Sequence, residues 1–291
     1  MRRTFWVVYD TVQYARNKWF ADRLVSLLSR SSDARLIIVE KLSCGLIGGK
    51  HVFFYEGTPE ILPDAVVMRS IYPFLSETFE TLGARVFNRA GFSRIANDKR
   101  LSYLAASAAG LKTADTLYYD KRFMSMDTRE KAERLGSPFI LKTAAGHGGS
   151  GVYLIRKDSD LEASVSGETL ENGFAAQRMI ENAEGDVRVY VLGGDVVAAA
   201  LRKPGSGFKS NVSLGGRAEA FILGNSEKKL VERLYDSLKV KPDLAGFDFI
   251  PADGEFVFNE MEDVVGTRML YSVFGIDAAE LFCGYVERAA L

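Results

Sequence analysis

The chain has few cysteines and few histidines, and this scarcity narrows the chemistry open to it. Its 291 residues include two cysteines, Cys44 and Cys283, and two histidines, His51 and His147. Two cysteines do not build a disulfide framework, so we expect a cytoplasmic protein in which both thiols are small core side chains. So few histidines fit a reaction that needs no Ser–His or Cys–His pair.

Long apolar runs and an excess of one charge are also absent. No stretch approaches the roughly 18 apolar residues of a transmembrane helix. Residues 1–10 lack the apolar core and cleavage site of a signal peptide, so they predict a first strand. The 37 basic and 38 acidic residues give a net charge of −1, which predicts no nucleic-acid partner and no attraction to a membrane surface. These features are compatible with a homo-oligomer.

Alternating strand and helix patterns predict an α/β protein, with a parallel layer in residues 1–95. The strands predicted there are 5–9, 36–39, 51–55 (an edge strand), 63–70 and 84–89, and the helices are 14–30 and 75–83. We expect Trp19 on the apolar stripe of the first helix. Further helices are predicted at 97–111, 128–136, 226–238 and from Asp277, and further strands at 112–119, 138–156, 174–180 and 186–203. The apolar face of helix 97–111 is expected to hold Leu101, Leu104, Ala105 and Ala108.

Three acidic residues near the C-terminus predict a metal site. Asp248 lies in the apolar run 245–251, and Glu260 and Glu262 lie in 255–263; both runs predict strands. Side chains at i and i+2 of a strand share a face, so the two glutamates point the same way, and Asp248 can reach the same spot. Oxygen ligands that converge in this way suit Mg²⁺, with Mn²⁺ as an alternative. The competing interpretation is an acidic edge exposed to solvent.

A glycine-rich turn at residues 145–152 predicts a flap over phosphates. Glycine lets backbone N–H groups approach a phosphate without a clash of Cβ atoms. The turn is neither a Walker A loop nor a Rossmann fingerprint, because strands flank it on both sides. A purely structural hairpin turn is the alternative. The flap residues are Gly146, His147, Gly148, Gly149, Ser150 and Gly151.

Several polar side chains lie where anions or a metal would bind. Lys142 ends an apolar strand beside the flap, and Lys99 in the first turn of its helix opposes the helix dipole unless an anion is near. Arg202 suits carboxylate or phosphate oxygens. Lys209 can meet a phosphate, and the amide oxygen of Asn211 can join the metal ligands. For a single lysine, plain solvation is the alternative.

Two arginines predict a site for a free carboxylate. Arg69 follows a predicted strand of the N-terminal layer, at the carboxyl end where α/β domains bind ligands. Together with Arg268 it can clamp the carboxylate of an amino acid or a peptide. A surface ion pair is the alternative for each.

The order of these motifs resembles the ATP-grasp superfamily, most of all its RimK-type branch of ribosomal-protein glutamate ligases and carboxylate–amine ligases. The resemblance runs from about Asp64 to the end of the chain and is weaker before it. Motifs that fall in the right order at the right spacing make it specific. They are Lys99, Lys142 with 146–152, 177-QRMIENAEGDVRV-189, Arg202, 208-FKSN-211, 245-AGFDFI-250 and Glu260-x-Glu262, preceded by 84-ARVFNRAGFSRIANDK-99.

The resemblance implies an ATP-grasp fold of the α/β (α+β) class with three units. These would be an N-terminal parallel α/β domain (1–95), a linker helix and lid with the flap (96–175), and a C-terminal subdomain with the metal ligands (176–291). ATP would lie between lid and C-terminal subdomain. Lys99 and Lys142 would meet its phosphates, and Asp186, with Glu184 as a rival, would be a polar contact on its ribose or adenine side. The adenine would lie along Gln177, Arg178, Met179 and Ile180.

The resemblance also implies the reaction. A substrate carboxylate would attack the γ-phosphate to give an acyl phosphate and ADP, and an amine would then displace phosphate to form an amide. Asp248, Glu260, Glu262 and Asn211 would hold the metal, and Arg202 would face the reacting centre. The substrates would be small amino acids, peptides or other carboxylates and amines. The alternatives are an ATP-grasp kinase and a non-catalytic nucleotide-binding module.

Two departures from the family pattern bear on the substrate. Glu262 stands where the family usually has asparagine, which adds a negative charge to the metal site. The segment 263-DVVGTRMLYS-272 lacks the usual proline–glycine turn. We therefore expect an acceptor other than a ribosomal-protein tail.

Overall fold

The computed structural model describes residues 2–120, 123–125, 127–146, 151–165, 173–181, 183, 185–204 and 217–290. Its strands are β1 (Thr4–Tyr9), β2 (Asp33–Ile38), β3 (Leu42–Ile47), β4 (Lys50–Tyr55), β5 (Thr58–Glu60), β6 (Ala65–Met68), β7 (Arg85–Phe87), β8 (Thr116–Tyr119), β9 (Phe139–Thr143), β10 (Val152–Ile155), β11 (Phe174–Arg178), β12 (Asp186–Leu192), β13 (Asp195–Lys203), β14 (Arg217–Ala220), β15 (Leu244–Ala252) and β16 (Glu255–Glu262). Its helices are α1 (Thr11–Leu28), α2 (Pro73–Thr81), α3 (Ala90–Ala96), α4 (Lys99–Ala108), α5 (Arg129–Leu135), α6 (Asp158–Val165), α7 (Asn225–Ser237), α8 (Arg268–Phe274) and α9 (Ala278–Ala289). The predicted α/β class is confirmed, with one parallel sheet and three antiparallel sheets among these strands.

The N-terminal layer is a parallel sheet in the order β2–β1–β6–β7. Its central strands are buried on both faces, as expected of parallel strands with near-continuous valine runs. Val7 and Val67 pack in one core with α1 and α9, whereas Val8 and Val66 pack in a second core with α2 and Phe53. The predicted parallel α/β layer is therefore confirmed.

The buried stripe of α1 omits Trp19, contrary to expectation. Phe20, Leu24, Leu27 and Leu28 are buried, but Trp19 is 57% exposed and meets Tyr271 edge-on at 4.5 Å. Adjacent helix residues point about 100° apart, so a stripe centred on Phe20 and Leu24 turns Trp19 to the side.

A small antiparallel sheet, β3–β4–β5, differs from the prediction in two respects. The segment 51–55 is its middle strand and not an edge strand, because β3 and β5 pair with β4 on either side. Cys44 on β3 is exposed, whereas Cys283 on α9 is buried. The expectation of a core position is thus wrong for Cys44 and right for Cys283.

Helix α4 buries a different face from the predicted one. Its buried residues are Lys99, Ser102, Tyr103 and Ala106, whereas Leu101 and Leu104 are 42% and 51% exposed. The buried residues keep helical spacing but are mostly polar, since Tyr103 and Lys99 pack beside Gln177 of β11 and Glu260 of β16, which supply polar partners. Hydrophobicity alone therefore selected the wrong face.

The remaining strands form two antiparallel sheets. One has the order β10–β9–β11–β8, and β9 pairs with β10 as the hairpin predicted for 138–156. The other has the order β14–β13–β12–β15–β16, and Gly193 and Gly194, both with positive φ, turn the hairpin β12–β13. No helix in the described part of the chain is long and apolar enough to cross a membrane.

Asn88, just after β7, joins the N-terminal sheet to the larger antiparallel sheet. Its Nδ2 donates to the carbonyl oxygens of Leu244 (2.7 Å) and Asp263 (2.9 Å). Its Oδ1 accepts from the backbone N–H groups of Asp243 (2.5 Å) and Leu244 (3.0 Å). Since Asn88 is buried, these bonds fix the start of β15 against β7.

Candidate active site

One face of the five-stranded sheet carries a row of charged side chains, which we call the ionic face. It comprises Asp186 and Arg188 on β12, Arg202 on β13, Asp248 on β15, and Glu260 and Glu262 on β16. The register pairs Asp186 with Arg202, Arg188 with Asp248, and Asp248 with Glu260. Paired residues of neighbouring strands share a face, so opposite charges meet at Asp186–Arg202 and Arg188–Asp248, whereas two carboxylates meet at Asp248–Glu260.

Two arginines hold the buried carboxylates of this face. Arg188 donates to both oxygens of Asp248, at 2.9 and 2.7 Å, and its Nη2 lies 2.5 Å from Glu262 Oε1. Arg202 donates to both oxygens of Asp186, at 2.7 and 2.6 Å, and to Asp248 Oδ2 at 2.6 Å. Bidentate pairs of this kind are the strong form of ionic hydrogen bond.

Asp248 is fully buried, so the interpretation as a solvent-exposed acidic edge is wrong for this residue. Burial opposes its ionisation, but Arg188 and Arg202 outweigh that effect and hold the pKa of Asp248 below its usual range. At Glu262 burial prevails and raises the pKa, although Arg188 acts against it. Burial likewise raises the pKa of Asp186, opposed by Arg202.

Lys99 supplies a cation to the same face. Its Nζ lies 3.2 Å from Glu260 Oε1 and donates to the carbonyl oxygen of Gly146 at 2.5 Å. Burial raises the pKa of Glu260, but Lys99 and Lys142 prevail and lower it. The anion expected near the start of this helix is therefore present within the protein itself.

Lys142 lies beside the ionic face in a buried polar pocket. Its Nζ donates to the Tyr103 hydroxyl (2.8 Å) and to Asn259 Oδ1 (2.9 Å). Asn259 is available because a bulge between Asp248 and Phe249 leaves it without a partner on β15. Burial lowers the pKa of Lys142 to about 8, against the pull of Glu260.

Four cations and four carboxylates thus meet in one place. Lys99, Lys142, Arg188 and Arg202 formally balance Asp186, Asp248, Glu260 and Glu262. A set of this kind offers cations to a polyanion and carboxylates to a divalent cation at the same place.

The acidic members of the face also fit a hard metal ion. Asp248, Glu260 and Glu262 each offer one oxygen, and the three oxygens lie within 4.8 Å of one another. The side chains of Glu260 and Glu262 are 24% and 23% exposed, so an ion can reach them from solvent. Oxygen donors alone, without His or Cys, suit Mg²⁺ or Mn²⁺.

The flap begins and ends beside this face. Lys142 pairs with Val152 across β9 and β10, and Thr143 N–H donates to the Gly151 carbonyl at 2.8 Å. Gly151 has a φ of 71°, and a Cβ there would lie 2.1 Å from Thr143 Oγ1, so only glycine fits. The predicted residues His147, Gly148, Gly149, Ser150, Glu184, Lys209 and Asn211 lie outside the described residues.

The residues predicted along the adenine follow one another out of β11. Gln177 is buried and bonds Tyr103 and Thr116, Arg178 is exposed and pairs with Asp115 at 2.8 Å, and Met179 and Ile180 are half-buried. Asp186, the predicted polar contact on the ribose or adenine side, also belongs to the row of charged side chains on the sheet. Both of its oxygens accept from Arg202, so the structure makes it part of the ionic face.

The two arginines predicted for a substrate carboxylate lie in different surroundings. Arg69 is buried at the carboxyl end of β6, over the Phe20 ring, and donates to the Val265 carbonyl at 2.8 Å. Its Nε is buried and has no hydrogen-bond partner among the described residues. Arg268 begins α8 and is exposed. Arg69 thus keeps a free buried donor, whereas Arg268 faces solvent.

Sequence reasoning missed Arg188, Tyr103 and Asn259. For Arg188 a signal was available, because Asp186, Arg188 and Tyr190 alternate along an apolar strand and so mark one polar face. Asn259 directly precedes Glu260, but the bulge that turns it toward Lys142 leaves no mark in the sequence. Nothing in the sequence around Tyr103 predicts its place in the site.

Comparison with known proteins identifies the family. Residues 96–286 match the RimK-like ATP-grasp domain, about two thirds of the chain. The chain belongs to the RimK-like ATP-grasp family. As a member of it, the protein is an ATP-dependent carbon–nitrogen ligase.

Curated relatives and solved structures resemble the chain over most of its length. A probable alpha-L-glutamate ligase of Mannheimia succiniciproducens is 29% identical over 248 residues, which is 80% of each chain. Human N-acetylaspartylglutamate synthase A is 26% identical over 264 residues, 86% of this chain and 67% of that one. The D-cycloserine synthetase DcsG superposes with a TM-score of 0.76 at 15% identity, covering 99% and 100% of the two chains. The ATP-grasp ligase PsnB, complexed with minimal precursor, Mg and ADP, has a TM-score of 0.66 at 17% identity and 98% coverage of both chains.

Proposed function

We propose that the protein joins the carboxylate of an amino acid or peptide to an amine through an acyl phosphate. A carboxylate oxygen attacks the γ-phosphorus, the bond from phosphorus to the ADP oxygen breaks, and ADP leaves. The amine nitrogen then attacks the acyl carbon, the bond from carbon to the phosphate oxygen breaks, and phosphate leaves as the amine loses a proton. The balanced ionic face carries this proposal, because the reaction moves negative charge among phosphates without a protein nucleophile.

Lys99 and Lys142 would meet the phosphates of ATP. Lys99 is buried and Lys142 is half-buried among polar groups, so an anion that reaches them is screened little by water. The flap Gly146–Gly151, with His147, Gly148, Gly149 and Ser150, and Lys209 would complete the phosphate contacts. The segment Gln177–Ile180, namely Gln177, Arg178, Met179 and Ile180, would line the adenine.

Asp248, Glu260 and Glu262, together with Asn211, would hold Mg²⁺ or Mn²⁺. When bound, such an ion offsets the charge on the phosphate oxygens. As Lys99 turns from Glu260 to a phosphate, the Glu260 carboxylate would become free for the metal. Arg188 would keep Asp248 ionised and oriented, and Arg202 would stabilise the oxyanion that forms at the acyl carbon.

Arg69 and Arg268 would bind the free carboxylate of the substrate. The unpartnered Nε of Arg69 supports this role for Arg69, since a buried donor without an acceptor is costly. The relatives are named as glutamate-adding enzymes, which supports an amino-acid substrate. The residues after Glu262 lack a proline–glycine turn, which supports an acceptor other than a ribosomal-protein tail.

The proposal extends to the organisation of the chain. An N-terminal domain (1–95) would bind substrate, a lid (96–175) would close over ATP, and a C-terminal subdomain (176–291) would hold the metal. We place the enzyme in the cytoplasm and allow for a homo-oligomer.

A label on the carboxylate tests the chemistry. The protein is incubated with ATP, Mg²⁺ and pairs of amino acids or dipeptides, with ¹⁸O in the carboxylate of one partner. An acyl phosphate delivers one labelled oxygen to the released phosphate. Amide formed alongside unlabelled phosphate would rule out the intermediate. A phosphate ester in place of an amide would identify a kinase, and nucleotide binding without turnover across the screen would identify a regulatory module.

A further inference from the structure

A second pocket, which we call the basic pocket, lies where β7, the end of α7, the start of β15 and α9 meet. Its volume is about 560 Å³, and none of the residues of the ionic face lines it. Its charged lining consists of Arg85, Arg89, Lys239, Lys241, Glu80 and Asp243. This size is typical of sites for small molecules.

Both acids of the basic pocket have partners within the protein, although Asp243 Oδ2 is buried without a hydrogen-bond partner among the described residues. Asp243 Oδ1 accepts from Arg85 at 2.5 Å and from the Tyr285 hydroxyl at 2.8 Å. Glu80 Oε1 accepts from the backbone N–H of Ala90 at 2.7 Å, and its Oε2 lies 3.8 Å from Arg89 Nε. Four basic against two acidic side chains leave the pocket with a positive excess.

The excess positive charge lies on side chains that a ligand can reach. Arg89 is 53% exposed and touches Glu80 only at long range. Lys239 is exposed, and no ion pair engages it within the described part of the chain. Lys241 donates to the carbonyl oxygens of Tyr235 (2.8 Å) and Asp236, which uses two of its three N–H groups.

The walls of the basic pocket are fixed by packing. Val240, between the two lysines, lies so close to Gly91 of α3 that a Cβ there would come within 2.7 Å of Val240 Cγ2. Arg85 lies over the Phe87 ring at 4.1 Å. A pocket held in this way needs little ordering when a ligand enters, which favours binding.

We propose that the basic pocket binds a small dianion, either a phosphate monoester or a dicarboxylate, at a site separate from that of ATP. Arg89 and Lys239 would supply the accessible positive charge, and the third N–H of Lys241 would add a directed hydrogen bond. The rings of Tyr235 and Tyr285 would pack against the carbon skeleton.

Calorimetric titration tests the proposal on the full-length protein. The protein is saturated with Mg²⁺ and a non-hydrolysable ATP analogue, so that the phosphate subsites of ATP are filled. Inorganic phosphate and succinate are titrated separately. Saturable binding of phosphate alone identifies a phosphate monoester site, and binding of succinate alone identifies a dicarboxylate site. If neither probe binds, the proposal is overturned.

A matched pair of double variants locates the binding. Arg89→Glu with Lys239→Glu is expected to weaken probe binding at least about tenfold. Lys228→Glu with Lys229→Glu makes the same change in net charge on exposed residues of α7 outside the pocket, and should leave probe affinity unchanged. If both variants bind the probe with the same affinity, whether unchanged or reduced, the assignment of the site is overturned. If circular dichroism shows that the first variant is misfolded, Arg89→Gln with Lys239→Gln replaces it.

Discussion

Lys142 is a half-buried lysine whose charge depends on its surroundings. Desolvation lowers its pKa to about 8. A phosphate beside the ammonium would favour the charged form and raise this pKa, so nucleotide binding should take up a proton. Nucleotide affinity is therefore expected to be full below pH 8 and to fall as the pH rises through 8.

Calorimetry in two buffers of different ionisation enthalpy measures this proton uptake directly. Lys142→Met should abolish the pH dependence and weaken nucleotide binding more than it lowers the melting temperature. An unchanged affinity in that variant would show that Lys142 has a structural role only.

Glu260 is the carboxylate that we expect to exchange Lys99 for a metal. Glu260→Gln keeps the size of the side chain but removes the charge, so ADP release should fall at least about 100-fold while the protein stays folded. Glu255→Gln is the matched control, because Glu255 begins the same strand, is exposed and pairs with Lys112. Assays of ADP release over a range of Mg²⁺ concentrations compare the two. Normal turnover by Glu260→Gln would refute the metal assignment.

At the scale of elements, the hairpin β9–β10 depends on one glycine. Gly151→Ala would force a Cβ against Thr143 at a positive φ, so unfolding free energy should drop by about 1–3 kcal/mol. Gly254→Ala is the control. Gly254 has a similar φ of 75°, but a Cβ there would meet nothing within 4 Å, so the substitution should cost about 1 kcal/mol, the backbone strain alone.

Urea unfolding of both glycine variants gives the two values. If Gly151→Ala loses no more unfolding free energy than Gly254→Ala, the backbone of the hairpin can shift to accommodate the added Cβ.

Elements were predictable where apolar residues repeat with a clear period. The alternation in 186–203 gave both strands of a hairpin and its turn, and Phe5–Tyr9 gave the first parallel strand. The carboxylates of β15 and β16 could be placed together because strand geometry fixes which side chains share a face. The buried face of helix α4 could not be predicted in this way. Lys99, Ser102 and Tyr103 are buried because they have polar partners there, whereas Leu101 is exposed. Local pattern cannot reveal a partner that lies far along the chain.

At the scale of the whole molecule, Asn88 holds two sheets together through one side chain. Asn88→Ala would leave the backbone groups of Asp243, Leu244 and Asp263 without their partner in a buried place. Unsatisfied buried groups cost about 1–3 kcal/mol each, so the variant should lose about 2–5 kcal/mol of unfolding free energy.

Denaturant unfolding, followed by the fluorescence of Trp6 and Trp19 and by far-ultraviolet circular dichroism, measures this loss. Asn97→Ala is the comparison, since Asn97 is only half-buried and bonds mainly within its own helix turn. If Asn88→Ala loses no more unfolding free energy than Asn97→Ala, the contact between the two sheets does not depend on the Asn88 side chain.

The balance of four cations against four carboxylates constrains how this sequence can change over generations. Loss of Asp248 alone would remove the carboxylate that Arg188 and Arg202 share, and loss of Arg188 alone would leave Glu262 without its arginine and Asp248 with Arg202 only. Each such intermediate would leave one charge of the ionic face uncompensated, and breaking a buried ion pair costs about 3–5 kcal/mol, a large share of the stability of an ordinary domain. Substitutions on the ionic face should therefore arise in compensating pairs or follow stabilising changes elsewhere. Lineages would inherit the face as one unit, while exposed positions such as Leu101 drift one at a time.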